Sequence, residues 1–223
     1  MILSVIKQAV CLTLDKRVTE FDRIQKEWAR FNIPIQRFLV GSSNINESYN
    51  RIDDCEYPPI FSETIRYPTW LNRTSAYDAW KSHRQILENF VNNHYTGFLL
   101  MLEDDSFIES DFENITSKIY LQPSMFDMLY FGCYHYENSY VKTNIDSLHR
   151  LQGSGGWHGV MMSRDICKEL LKYPPIGPYD WICGKYIHTN YRCYSIYPCV
   201  VSQKSGYSFV EGTTLDKPSR YKL

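Results

Sequence analysis

Gly97-Phe98-Leu99-Leu100-Met101-Leu102-Glu103-Asp104-Asp105 is the stretch on which the fold turns. Five apolar residues in a row end abruptly in three carboxylates. A short apolar run after a glycine reads as a strand buried on both faces, as in the middle of a parallel sheet. Ligands of open α/β sheets bind beyond the carboxyl ends of such strands. The acids therefore stand where a ligand would be, in a half-buried setting where uncompensated charge is costly. A divalent cation with oxygen ligands, often shared with a phosphate, is the usual compensation. Glu103 and Asp105 are two apart and point the same way in an extended chain, whereas Asp104 points to the other side or turns with the loop. The alternative is that such acids cap the next helix or solvate a loop.

The flanks extend the pattern. Ala9–Leu14 reads as a first strand, followed by a polar turn at Asp15-Lys16-Arg17. Thr19 can cap a helix running to about Phe31, with Phe21, Ile24, Trp28 and Phe31 at helical spacing. Pro34 keeps the chain extended into a second strand, Ile35–Val40. This strand–helix–strand unit opens a parallel sheet. Residues 44–70 read as a long surface segment. A second helix starts near Asn72 or Thr74, runs to about Asn93, and turns Ala76, Trp80, His83, Ile86, Leu87 and Phe90 inward.

Downstream of the acids, Ile108–Leu121 reads as a helix and Met125–Cys133 as a strand. Tyr134–Asp146 suits a hairpin or flap. Leu151–Gly156 is glycine-rich, which allows close backbone approach to a ligand. Trp157–Met162 reads as a strand, and Ser163 caps a helix over Arg164–Tyr173. Another helix opens at Pro178 and runs to about His188, Tyr194–Val201 is a last strand, and 203–223 is a polar tail. The whole suits one α/β domain with a mostly parallel central sheet flanked by helices.

Composition narrows the function classes. The 223 residues carry a net charge of -1 and no basic run, which gives no electrostatic case for nucleic acid or an anionic membrane. No apolar stretch approaches the roughly 20 residues a membrane span needs. Met1–Lys7 lacks the features of a signal peptide, so a cytoplasmic setting is expected. Seven cysteines without a C-x-x-C pair read as reduced core residues rather than as a zinc site. The sequons at Asn46, Asn72 and Asn114 matter only in a secreted chain. Eighteen tyrosines suit a cleft that stacks sugars or bases, or an ordinary core. Ser82-His83 with Asp104 is no hydrolase triad, because no G-x-S-x-G elbow accompanies it.

The order of parts resembles the GT-A architecture of nucleotide-sugar glycosyltransferases. The nearest likeness is to the bacterial lipooligosaccharide and collagen galactosyltransferase family, with a weaker one to the small glycosyltransferases of large DNA viruses. The segments that carry it are Leu12–Arg17, Ser82-His83, Leu102–Asp105, Gly156–Ser163 with the helix to Leu171, Tyr179-Asp180-Trp181 and Tyr197–Gln203. The resemblance implies one domain over 1–223, with a nucleotide-binding half (1–105) and an acceptor half (106–223). It implies a metal-dependent transferase that moves a sugar from a nucleoside diphosphate sugar, a UDP-sugar being expected, to a hydroxyl of a glycan or glycoprotein. Mn²⁺ or Mg²⁺ follows from all-oxygen ligands.

By the same resemblance Glu103 and Asp105 would hold the metal, with His158 a further candidate ligand or a hydrogen-bonded core histidine. Thr13, Leu14, Arg17, Lys81, Ser82, Asp104, Gly155 and Gly156 would border the donor, although Arg17 also suits a solvated helix start. Trp157, Tyr179 and Trp181 would face the acceptor. Asp180 reads as the general base or as a helix-capping acid. A helix N-terminus would lower its pKa, and a single base opposite the leaving group implies inversion. Rival readings are a non-catalytic sugar- or nucleotide-binding module of the same fold and a metal-dependent phosphate-ester enzyme.

Overall fold

The computed structural model describes residues 2–41, 74–135, 139–208 and 213–215. The long surface segment expected over 44–70, Cys55, the sequons at Asn46 and Asn72 and the end of the tail lie outside them. The apolar run forms β3 (Phe98–Glu103), flanked on one side by the first strand, β1 (Ile6–Thr13), and beyond it by β2 (Gln36–Leu39). Both neighbours are parallel, as expected: Val10 pairs with Gln36 and Met101. The connecting helix α1 (Val18–Ala29) buries Phe21, Ile24 and Trp28. Arg17, not Thr19, stands at its N-cap, and its side chain makes no capping hydrogen bond to the helix.

The other side of β3 corrects the expectation of a mostly parallel sheet. Its neighbour is β8 (Gly155–Ser163), antiparallel, with Met101 opposite Val160. β5 (Met128–Tyr134) is antiparallel to β8 in turn and so runs the same way as β3. Beyond lie β9 (Cys193–Ile196), parallel to β5, then β7 (Leu148–Leu151) and β6 (Tyr140–Lys142) as an antiparallel hairpin. Three parallel and four antiparallel pairings make one mixed eight-stranded sheet.

Alternation along the strands sends residues to two cores. Val10, Leu12, Leu99, Met101, Tyr130, Val160 and Met162 face α2 (Thr74–Asn93), α4 (Arg164–Leu170) and the short α5 (Tyr179–Ile182). Cys11, Leu100, Leu102, Leu129, Phe131 and Met161 face α1 and α3 (Phe112–Thr116). With both faces covered, the central strands read as unbroken apolar runs. The six described cysteines are buried and free. No described helix is long and apolar enough to cross a membrane.

Three elements differ from their sequence reading. Ile108 ends a strand, β4 (Ser106–Ile108), and the following helix is confined to α3. The expected last strand is split around the Tyr197–Pro198 peptide into β9 and β10 (Val201–Gln203). β10 leaves the large sheet and pairs with β4 in a separate antiparallel ribbon, Gln203 opposite Ser106. The helix expected to run to His188 is α5 followed by a π-type turn at Cys183–Ile187. In the tail, β11 (Gly206–Ser208) and β12 (Thr213–Leu215) pair antiparallel.

Candidate functional site

The strand directions gather the candidate residues along one edge of the sheet. β1, β3 and β5 all end there and β8 begins there, which brings Thr13, Glu103, Tyr134 and Gly155 to the same side. Gly155 is paired directly with Tyr134.

Asp104 turns inward and ties the first strand to the third. Its Oδ2 accepts hydrogen bonds from Thr13 Oγ1 (2.9 Å) and Leu14 N (3.2 Å), and its Oδ1 pairs with Arg17 Nη1 at 2.5 Å. Burial raises the pKa of the Asp104 carboxyl, against the Arg17 charge and these hydrogen bonds, which lower it. Four of the donor-side candidates are thus assembled in one knot. The same loop is held from α1, where Arg23 Nη2 donates to Ser106 O at 2.6 Å. From the edge, Arg37 Nη2 donates to Leu14 O (3.1 Å) and Asp15 O (2.8 Å).

Glu103 and Asp105 do point the same way, onto a residue 98 and 100 positions further along. Gln203 Nε2 donates to Glu103 Oε2 (2.7 Å) and to Asp105 Oδ1 (3.2 Å). Gln203 is 3% exposed, and its Oε1 accepts from the Tyr134 hydroxyl at 2.8 Å. The Tyr134 ring stands edge-on to His158, centroids 4.8 Å apart at 89°. His158 is fully buried behind it. Among the described residues no group of three or more His, Cys, Asp or Glu side chains could hold a metal ion. His158, the further metal candidate, is buried with the Tyr134 ring edge-on against it.

The acid pair itself fits a hard divalent cation in its donor chemistry. Two half-buried carboxylates converge on one amide nitrogen, and such cations take one or two carboxylates, completing their shell with water and phosphate oxygens.

Gly156 joins this group to Asp180. Its backbone has φ +77°, and a Cβ there would lie 2.4 Å from His158 Cε1 and 2.8 Å from the Tyr134 ring. Its N–H donates to Asp180 Oδ2 at 2.8 Å, while Asp180 Oδ1 accepts from Trp181 N at 2.8 Å. Asp180 therefore serves the first turn of α5 and the glycine loop together, with lone pairs to spare on each oxygen. Burial raises its pKa. That reverses the lowering expected from a helix N-terminus, because α5 has only four residues and its dipole is small beside the loss of solvation.

We expect Gly156→Ala to cost about 2 kcal/mol or more in chemical denaturation, from the positive φ together with the collision with His158 and Tyr134.

The remaining candidates occupy the far side of the glycine loop. Tyr179 and Trp157 are 1% and 2% exposed. Tyr179 stacks between Trp80 (5.9 Å, 3°) and Trp157 (5.9 Å, 19°), with His83 edge-on to Trp157 and Tyr179. The two acceptor-side candidates Trp157 and Tyr179 are thus packed in a stack of rings within the core. Burial lowers the pKa of His83 to about 4, so it is a neutral core histidine. Trp181 is half-buried, covers Gly177 and meets Tyr186 edge-on. Lys81 is paired with Asp78 at 3.0 Å and lies over the Tyr77 ring. Ser82 Oγ accepts from Gly41 N (3.2 Å) and donates to Asp78 O (2.7 Å), fastening α2 to the turn after β2.

Sequence reading missed Tyr134 and Gln203 as site residues. A signal for Gln203 exists: the apolar Val200-Val201 gives way to the polar Ser202-Gln203, as Leu102 gives way to Glu103 at the end of β3.

No family model and no curated protein matches the chain by sequence. Among solved structures it is similar to a glycosyltransferase involved in the glycosylation of the major capsid of PBCV-1, at 11% identity and TM-score 0.44 over 84% of this chain and 81% of that one. It is also similar to A197 from STIV, at 11% identity and TM-score 0.45 over 97% of both chains. Likeness of this order assigns no activity.

Proposed function

We propose that the chain transfers a sugar from a nucleoside diphosphate sugar to a hydroxyl of a glycan acceptor, with a divalent cation, Mn²⁺ or Mg²⁺, held by Glu103 and Asp105. The observation that carries this reading is the convergence of two carboxylates on one side of a loop whose middle acid is locked inward. That loop lies at the ends of parallel strands and is joined through Tyr134 and Gly156 to a second, desolvated acid. The resemblance of the ordered sequence segments to the GT-A glycosyltransferases supports it.

Each part then has a task. A bound cation neutralises the charge that develops on a departing diphosphate. The knot of Thr13, Leu14, Arg17 and Asp104 fixes the loop that borders the nucleotide, so donor binding meets a preformed wall. The backbone of Gly155 and Gly156, free of side chains, lets the sugar approach the sheet edge. Asp180 accepts the proton of the acceptor hydroxyl as that oxygen attacks the anomeric carbon. Its raised pKa makes it a stronger base than an ordinary aspartate. A single base facing the leaving group gives inversion. Trp181, half-buried and one residue from this base, supplies the sugar-stacking surface.

A thermal-shift panel of nucleoside diphosphate sugars, with and without Mn²⁺, tests the reading. A ligand at about 100 times its Kd adds about 2.7 kcal/mol, or about 5–10 °C for a chain of this size. The rise should need both nucleotide and metal, and Asp105→Asn should abolish the part that depends on metal. The reading falls if no nucleotide moves the midpoint in either condition. A fold-keeping sugar-binding module would shift its midpoint yet hydrolyse and transfer nothing.

A further inference from the structure

The amide of Gln203 has no assigned task in the transfer, yet its position is unusual. It lies on β10, outside the large sheet, and delivers one nitrogen to both candidate metal-binding carboxylates. Two like charges brought to one amide nitrogen repel each other. A neutral –NH₂ group answers this by offering one N–H to each carboxylate. The carboxylates only accept, so they select the –NH₂ end, and the Tyr134 hydroxyl holds the other end by donating to Oε1. Burial of Gln203 to 3% exposure removes water as a substitute donor. Tyr134 is in turn set by the edge-on His158 ring and by the missing Cβ of Gly156.

We infer that Gln203, oriented by Tyr134, is the positioning residue that holds Glu103 and Asp105 in a single cation-ready arrangement. The inference rests on the transferase reading above for the identity of the ligand class, a hard divalent cation. Groups that orient metal-binding side chains from behind typically govern affinity by about 10–100-fold, and Gln203 is expected to fall in that range. Tyr134 acts one bond further out. Its loss frees the amide to rotate and costs one hydrogen bond, about fivefold in affinity.

The test is Mn²⁺ binding read from the EPR signal of the free ion, with and without UDP, on the wild type, Gln203→Met and Tyr134→Phe. Methionine keeps the length of the glutamine and deletes both its polar ends. Supporting results are a weakening of about 10–100-fold for Gln203→Met and of about fivefold for Tyr134→Phe, in variants that still unfold in one cooperative transition. If the wild type binds Mn²⁺ and both variants bind it equally well, the role of Gln203 is overturned while the cation reading stands. If the wild type takes up no Mn²⁺ in either condition, both fall. Should Gln203→Met fail to fold, Tyr134→Phe decides alone, since it removes one oxygen from a half-buried ring, and an unchanged affinity there overturns the inference.

Discussion

Gly132→Ala is expected to destabilise the chain by about 3 kcal/mol or more, a fall in Tm of roughly 6–12 °C. The added Cβ would stand 1.8 Å from the carbonyl oxygen of Val201 and 2.8 Å from its carbonyl carbon. Both are backbone atoms, so no rotamer change relieves the contact. The approach is close because β10 is stitched onto β5, with Val200 N donating to Phe131 O at 2.9 Å. Separating the strands loses that bond and opens the core between Phe131 and Val201, both fully buried. Gly41→Ala is the control: its φ is +82° but nothing lies within 4 Å of the new methyl, so only about 1 kcal/mol of backbone strain is due. Equal losses for the two variants in urea denaturation would show that β10 does not press on β5.

The second large effect concerns Asp180→Asn. Turnover should fall by about 10²–10⁴, while nucleotide binding, read as a ligand-induced rise in Tm, persists. Asparagine keeps the size but has one acceptor oxygen for the two N–H groups of Gly156 and Trp181. The pH dependence carries a separate signature. The folded pKa of Asp180 lies above its unfolded value, so in the window between them the folded state binds the extra proton. Stability falls as pH rises through that window and is level above it. Activity runs the other way, rising as the base ionises. In Asp180→Asn both slopes flatten, which denaturation midpoints and initial rates across the acid range would reveal. An unchanged rate would remove Asp180 from the chemistry.

The fold and the site were legible to different depths, for physical reasons. β1, β3 and α2 were readable because burial on both faces leaves unbroken apolar runs, and burial on one side leaves a helical stripe. Strand direction was not readable in this way. β8 is as apolar as β3, but an apolar run is the same whichever way it points, so the mixed sheet stayed hidden. The helix expected from Ile108 was overridden by tertiary contacts: Ser202 Oγ donates to Glu109 Oε1 at 2.6 Å and Glu109 N to Val200 O at 2.9 Å, drawing the segment into the ribbon. Pro198, inside the expected last strand, was the visible warning that this strand would break. In the site, the three acids and Asp180 announced themselves by type and setting. Tyr134 and Gln203 matter through partners 69 and 98 or more positions away, and no local pattern records such pairings.

The ribbon of β4 and β10 has a mechanical consequence. Asp105 precedes β4 by one residue, and Gln203 ends β10 directly across from Ser106. Lys204 N also donates to Asp105 O at 2.9 Å, closing the ring of contacts. Asp105 and the amide thus sit on the ribbon, whereas Glu103 ends β3 of the large sheet. The two carboxylates therefore straddle the seam between ribbon and sheet, and the Gln203 amide, bonded to both, is what ties their gape together across it.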